Sequence, residues 1–188
     1  MQIVKRISVS VLILVTTLIV IAYMLPRTVS VERSIVINAA PDKIFPLVNN
    51  QKNGAQWSPW LSRDPNVQVT YSGPDAGVGS KMEWASDNPN VGNGSATIIG
   101  SVENESIKTA LDFGGEGTAD AWFSFAAQDQ STKVTWGFTM DTGLNPINRW
   151  MGVMMDKWVG GDYALGLANL KALVEGHFCI NLSKTQSG

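Results

Sequence analysis

The sequence predicts an α+β domain, a curved antiparallel sheet covered by one long C-terminal helix, with a membrane-length apolar helix ahead of it. Three observations predict this. Residues 7–25 are 19 consecutive uncharged positions. From Val67 to Asp141 apolar and polar residues alternate with a period of two, broken by turn-forming clusters at short intervals. After Asn145-Pro146 the apolar spacing becomes helical and stays so to about Glu175.

The 19-residue run would reach about 28 Å as a helix, close to the hydrocarbon thickness of a bilayer. A cleaved secretory signal is the alternative, but its apolar core is usually about 7–15 residues and ends at a small-x-small site. This run ends Ala22-Tyr-Met-Leu-Pro26, which favours an uncleaved single-pass anchor over residues 1–27. Lys5, Arg6 and the terminal amine precede the span, whereas Arg27 and Arg33 follow it. The positive-inside rule then tilts toward a cytoplasmic N-terminus and a periplasmic or extracellular domain.

Val31 to Asn38 alternates and is rich in β-branched residues, the signature of a strand. Pro41 suits a first helical turn, Ile44, Phe45, Leu47 and Val48 supply an apolar face, and Pro46 keeps that helix short. A loop containing Trp57-Ser-Pro-Trp60 follows. Strands are then expected around Val67–Tyr71, Met82–Trp84, Ser95–Val102, Ile107–Phe113, Phe123–Phe125 and Val134–Phe138. Between them lie Gly73-Pro-Asp-Ala-Gly77, Asp87-Asn-Pro-Asn90, Glu103-Asn104, Gly114-Gly-Glu-Gly117 and Asp129-Gln-Ser131, all turn material. In the last segment Asn145 caps and Pro146 starts a helix in which Ile147, Trp150, Met151, Met154, Trp158, Leu165, Leu170 and Val174 recur at helical spacing. Gly160-Gly161 admits a bend or a split there. The folded domain is expected over 28–178, with a disordered tail at 179–188.

Composition narrows the chemistry. One Cys and one His in 188 residues exclude a disulfide framework, a cysteine-rich zinc site and a His-based metal site or triad, so neither metal nor cofactor is expected. From Thr28 onward 11 basic residues face 16 acidic ones, a balance of about −5 that argues against a nucleic-acid partner. Charged residues make up only 16%, while seven Trp and seven Met supply large apolar side chains. Gly77-Val-Gly79 and Val91-Gly-Asn-Gly94 lack the following helix and the Lys-Ser/Thr of a nucleotide loop and read as turns. Asp156 and Asp162 are six apart, about 120° from eclipse on a regular helix, and read as solvated or capping groups. His177 lies past the last apolar turn.

The order of elements resembles the START-like (SRPBCC) superfamily, and within it the polyketide cyclase/dehydrase and lipid transport group. The residues carrying this are Arg33-Ser-Ile-Val-Ile-Asn-Ala-Ala-Pro-Asp-Lys-Ile-Phe45, Trp57-Ser-Pro-Trp60 and Tyr71-Ser-Gly-Pro-Asp-Ala-Gly-Val-Gly-Ser80. Val91-Gly-Asn-Gly-Ser95, Thr132-Lys-Val-Thr-Trp136, Asp156-Lys-Trp-Val-Gly-Gly-Asp162 and Gly166-Leu-Ala-Asn-Leu-Lys171 complete it, over about residues 31–175. The resemblance implies a helix-grip fold with an apolar cavity between helix and sheet. The superfamily includes lipid carriers, receptors and cyclases, so the fold does not choose among activities.

On that frame Tyr71, Met82, Trp84, Leu111, Phe123, Phe125, Trp136 and Phe138 on the sheet, facing Met151, Met154 and Trp158 on the helix, are the expected ligand-binding residues. The alternative is that they interdigitate and leave no room. Tyr71 offers the one hydroxyl of the set. Trp57-Ser-Pro-Trp60 reads as a staple holding its loop to the fold, with a lid as the other reading. None of the eleven positions carries an Asp, Glu, His, Lys or Cys, which favours a non-catalytic, membrane-anchored binder of a small hydrophobic or lipid-like molecule. A cyclase- or dehydratase-like enzyme assisted by Tyr71 and a filled-core interaction module are the alternatives.

Overall fold

The computed structural model describes residues 2–176. His177, Cys179 and the tail expected at 179–188 lie outside the described residues. α1 spans Gln2–Met24 as one apolar helix, with only Ala22 buried against the domain. Leu25, Pro26 and Arg27 then lead into β1, Thr28–Ile37. α2, Pro41–Val48, has Pro41 in its first turn and buries Ile44, Phe45 and Val48.

The meander consists of β2 (Gln68–Ser72), β3 (Lys81–Ala85), β4 (Gly94–Val102), β5 (Ser106–Asp112), β6 (Thr118–Gln128) and β7 (Ser131–Asp141). Sheet order is β1-β7-β6-β5-β4-β3-β2, antiparallel throughout, so β1 pairs with the last strand and the rest follow as hairpins. A register shift between Ile98 and Gly100 bulges β4 against β5, a device that bends a strand and increases local twist. The strands alternate between a buried face, including Val134, Trp136 and Phe138 on β7, and a wetter one that bears Lys133 and Thr135.

α3, Pro146–Val174, covers the buried face as one unbroken helix of 29 residues. The Asn145 carboxamide oxygen accepts the Ile147 N–H at 2.9 Å, the cap expected of that residue. α3 runs alongside β1 in the same direction. Gly152 lies against Val29 and Thr142, Gly160 beneath the Arg33 guanidinium, and Lys171 Nζ donates to the Val36 carbonyl at 2.8 Å. The Asn38 N–H donates to Glu175 Oε1 at 2.8 Å at the far end. Gly160 therefore marks close approach to a guanidinium, and the helix runs through the pair without the split that helix propensity allows.

The two kinds of glycine on this helix separate by sign. A Cβ at residue 166 would lie 2.7 Å from the Trp136 ring and 3.2 Å from Pro59, whereas one at 161 meets open space. Gly161→Ala should stabilise the fold by about 0.5–1 kcal/mol through helix propensity. Gly166→Ala should instead destabilise it by about 1–3 kcal/mol, because the Trp136 ring must shift. Denaturant titration of the two variants checks both signs.

Candidate functional site

Strand register sorts the inner face into rows. Nearest the end where β1 begins, Ala119, Leu111, Ala96, Met82 and Tyr71 stand side by side across β6 to β2. The next row holds Val31, Phe138, Ala121, Thr109 and Ile98. Beyond it come Trp136, Phe123 and Ile107, then Val134 and Phe125. Leu111, Met82 and Tyr71 are half-buried, whereas Ala96 and Ala119 of the same row are buried, as are Phe138, Ile98, Trp136, Phe123, Ile107, Val134 and Phe125. The inner face is thus a trough, packed toward α2 and less buried on its β2, β3 and β5 side.

The end toward α2 is packed with rings. Trp136 stacks on Tyr163 of α3 with centroids 3.9 Å apart and on Phe123 at 5.0 Å. Trp57 meets Trp136 edge-on at 5.3 Å and Phe123 at 5.8 Å, while Phe45 meets Phe125 at 5.6 Å. Trp57 donates its indole N–H to the Leu47 carbonyl at 3.1 Å, and its own carbonyl accepts from Asn169 of α3 at 3.1 Å. The Trp57 ring is a wedge between sheet and helix. On the less buried side Trp84 meets Phe113 at 6.2 Å.

The eleven sequence-predicted residues divide into three groups. Tyr71, Met82, Trp84 and Leu111 lie together on the half-buried side of the trough, and Phe123, Phe125, Trp136 and Phe138 form its back wall. Met151, Met154 and Trp158 do not face the sheet. They are 44%, 45% and 47% exposed, on the outward side of α3. The inward side is carried by Gly152, Met155, Val159, Tyr163, Gly166, Leu167 and Leu170. The helix has two apolar stripes, and the one built of larger side chains faces away because glycines permit the inner one to sit close.

Tyr163 is the residue that the sequence reading missed. It is buried and stacks on Trp136. A second helical stripe, Met155, Val159, Tyr163, Leu167 and Leu170, was the available signal. Ala96, Ala119 and Ala121, the small residues of the trough floor, were likewise passed over.

Charges sit at the edges. Arg33 is the one charged strand residue pointing to the inner side among those described, and it pairs with Asp156 at 2.8 Å and with the Glu32 carbonyl at 2.8 Å. Arg63 pairs with Asp162 and lies 4.4 Å over the Trp60 ring. Asp156 is solvated as expected and also pairs across elements, whereas Asp162 is largely covered by its pairing with Arg63. Asp64 accepts from the Ser86 hydroxyl and from the Asn66 N–H, and these bonds hold its carboxyl below the usual range. Burial pushes the Tyr163 hydroxyl far up, and burial raises Tyr71 as well, with Lys52 opposing. Beside Tyr71, a polar cleft of about 40 Å³ lined by Lys52, Asp75 and Lys81 has room for a few waters only. No three His, Cys, Asp or Glu side chains cluster as metal ligands among the described residues.

A curved antiparallel sheet gripping one long helix, with an aromatic trough between them, defines the class as helix-grip. The family model described as polyketide cyclase / dehydrase and lipid transport matches residues 28–175, and the chain belongs to that family. No curated protein matches it. Among solved structures, one similar protein comes from Chromobacterium violaceum, at 20% identity and TM-score 0.51, with 80% of this chain and 98% of that one covered. A protein of unknown function from Staphylococcus aureus aligns at 11% identity and TM-score 0.59, covering 80% and 95%. The di-domain ARO/CYC StfQ from the steffimycin biosynthetic pathway aligns at 10% identity and TM-score 0.58, covering 80% of this chain and 51% of that one. At these identities the likeness is one of fold.

The placement of the two tryptophans predicts unlike costs. Trp136→Ala should lose about 3–5 kcal/mol of stability by opening a cavity among rings, whereas Trp158→Ala should stay within about 0.5 kcal/mol. Equilibrium unfolding of both variants tests this. Asp64 adds a pH signature. Its folded pKa is depressed, so its contribution is complete above the ordinary carboxylate pKa of about 3.9 and is lost as pH falls through the folded value. Asp64→Asn should lower stability at neutral pH and flatten the acid limb of a stability–pH profile below about pH 4.

Proposed function

We propose that the protein is a membrane-anchored, non-catalytic domain that binds a small hydrophobic or lipid-like molecule in the inner-face trough. Tyr71, Met82, Trp84 and Leu111 form the entrance side, and Phe123, Phe125, Trp136 and Phe138 the back wall. The observation that carries this reading is the chemistry of the inner face. Rings and small apolar side chains line it, its one strand-borne charge among the described residues is paired with Asp156 at the β1 edge, and its hydroxyls belong to Tyr71, Thr109 and Tyr163. General acid–base catalysis at neutral pH wants a group titrating near 7. Burial moves both tyrosines the other way, so each keeps its proton and can donate a hydrogen bond to a ligand carbonyl without removing a proton from it.

α1 supplies the anchor in this reading: 23 residues, apolar and almost wholly exposed, about 34 Å long at helical rise. One observation favours a second reading. The Trp57 wedge fills the space between Trp136, Phe123 and α3, as a packed interaction module would have it. The two readings differ in whether anything occupies the less buried side.

Native mass spectrometry of the full chain released from detergent distinguishes them. The intact mass should include residues 1–27, and an apolar molecule should remain bound. Met82→Trp, at a half-buried position, should fill the trough and weaken retention at least tenfold, the equivalent of about 1.4 kcal/mol, with the circular dichroism unchanged. A ligand-free wild type would leave the filled-core module as the reading.

A further inference from the structure

The outward stripe of α3 is the feature that ligand binding leaves unexplained. Ile147, Trp150, Met151, Met154, Trp158 and Leu165 fall within about 100° of arc on a regular helix and all are exposed. Leu144 extends the stripe into the preceding turn at 68% exposure. An unbroken exposed apolar patch of this kind marks a surface that meets another apolar phase.

Its neighbour is α1. Trp150 Nε1 donates to the Leu18 carbonyl at 3.2 Å. The buried Arg149 guanidinium donates to the Tyr23 carbonyl at 3.1 Å and the Leu25 carbonyl at 3.3 Å, and lies 5.3 Å from the Tyr23 ring centre. Only Leu25, Pro26 and Arg27 separate α1 from β1, and Arg27 is itself fixed. Its side chain pairs with Asp141 at 2.7 Å and its carbonyl accepts both the N–H and the hydroxyl of Thr142. The junction is pinned, so the domain cannot swing free of α1.

We propose that the first turns of α3, from Leu144 through Trp158, lie in the interface of the same bilayer that α1 spans, seating the domain on the membrane surface. This rests on the anchor reading above. The depth arithmetic selects a lipid surface over other occupants. Leu18 lies seven residues before Leu25, about 10 Å along the helix from its outer end. Interfacial amphipathic helices bury their apolar face about 5–10 Å into the headgroup–acyl boundary. Holding the Trp150 indole at the level of Leu18 brings this end of the stripe to that depth. Tryptophan is the side chain favoured there, with its ring in the apolar phase and its N–H satisfied.

Site-directed spin labelling tests this on the full chain, with Cys179→Ser as background, in vesicles of phosphatidylcholine and phosphatidylglycerol at 3:1. Labels are placed singly by Leu12→Cys on α1, Met154→Cys and Trp158→Cys on the stripe, and Lys133→Cys on the wet face of the sheet. The expected result is more frequent collision with oxygen than with a water-soluble nickel complex at residues 12, 154 and 158, and the reverse at 133. A lipid-exposed label at 12 with aqueous labels at 154 and 158 overturns the seating and leaves the anchor intact. An aqueous label at 12, or a chain lacking it, overturns the anchor and the seating with it. Labels at 154 that couple to one another, and that uncouple on dilution with unlabelled chain, place a second copy on the stripe and overturn the proposal. Met154→Asp, at an exposed position, supplies a second arm. Residue 158 should become water-accessible while residue 12 stays in lipid.

Discussion

Close approach of α3 to β1 and β7 is the constraint from which the rest of the molecule follows. Gly152 against Val29, Gly160 beneath Arg33 and Gly166 against Trp136 leave no room for a Cβ at any of the three positions. Spaced along one side of the helix, they bring its backbone down onto the sheet. The stacking of Tyr163 on Trp136 at 3.9 Å depends on that proximity, as does the ion pair between Arg33 and Asp156. Once the glycine side is inside, the bulky residues Ile147, Trp150, Met151, Met154 and Trp158 have nowhere to go but out. Inner packing and outer stripe are two consequences of one choice of face.

A helix lying along β1 leaves the β2–β5 half of the curved sheet to be roofed by other means. The segment after α2 does this. Trp57 fills the end toward α2, and Arg63 and Asp64 tie the onward chain to Asp162 of α3 and to Ser86 beyond β3. These polar ties sit at the rim, where partial solvation lowers the cost of holding charge. The trough beneath can therefore be apolar without stranding a charge. Its polar groups, the hydroxyls of Tyr71, Thr109 and Tyr163, are all neutral.

The sheet was legible in the sequence because a period of two, punctuated by turns, has one physical solution once half the positions are apolar. The cap at Asn145 and the proline at 146 were legible for the same local reason. That the eight sheet-borne residues share one face followed from strand parity alone. The facing of the helix-borne ones did not. α3 carries two apolar stripes about half a turn apart, and periodicity cannot say which one meets the sheet. Bulk suggested the stripe of Met151, Met154 and Trp158, but the glycines at 152, 160 and 166 decide it, because only a face with gaps lets a helix approach rings as large as Trp136. Helix propensity alone reads Gly160-Gly161 as a weak point and says nothing of the packing that glycine permits against the sheet. The partners of Asp156 and Asp162 lie 123 and 99 residues away in sequence, a separation that no local pattern encodes.

Three half-buried residues of the trough stand at the end nearest α1. β1 starts, β7 finishes and α3 begins on the same side of the sheet, and Leu111, Met82 and Tyr71 belong to the row closest to it. An apolar guest faces its largest free-energy cost in water, about 25 cal/mol per Å² of surface exposed. A pinned three-residue junction fixes which end of the trough is turned toward α1, whereas a long tether would leave that orientation free. In the reading proposed above, the short junction and the outward stripe are parts of one arrangement, because α1, the start of β1 and the start of α3 lie on the same side of the sheet.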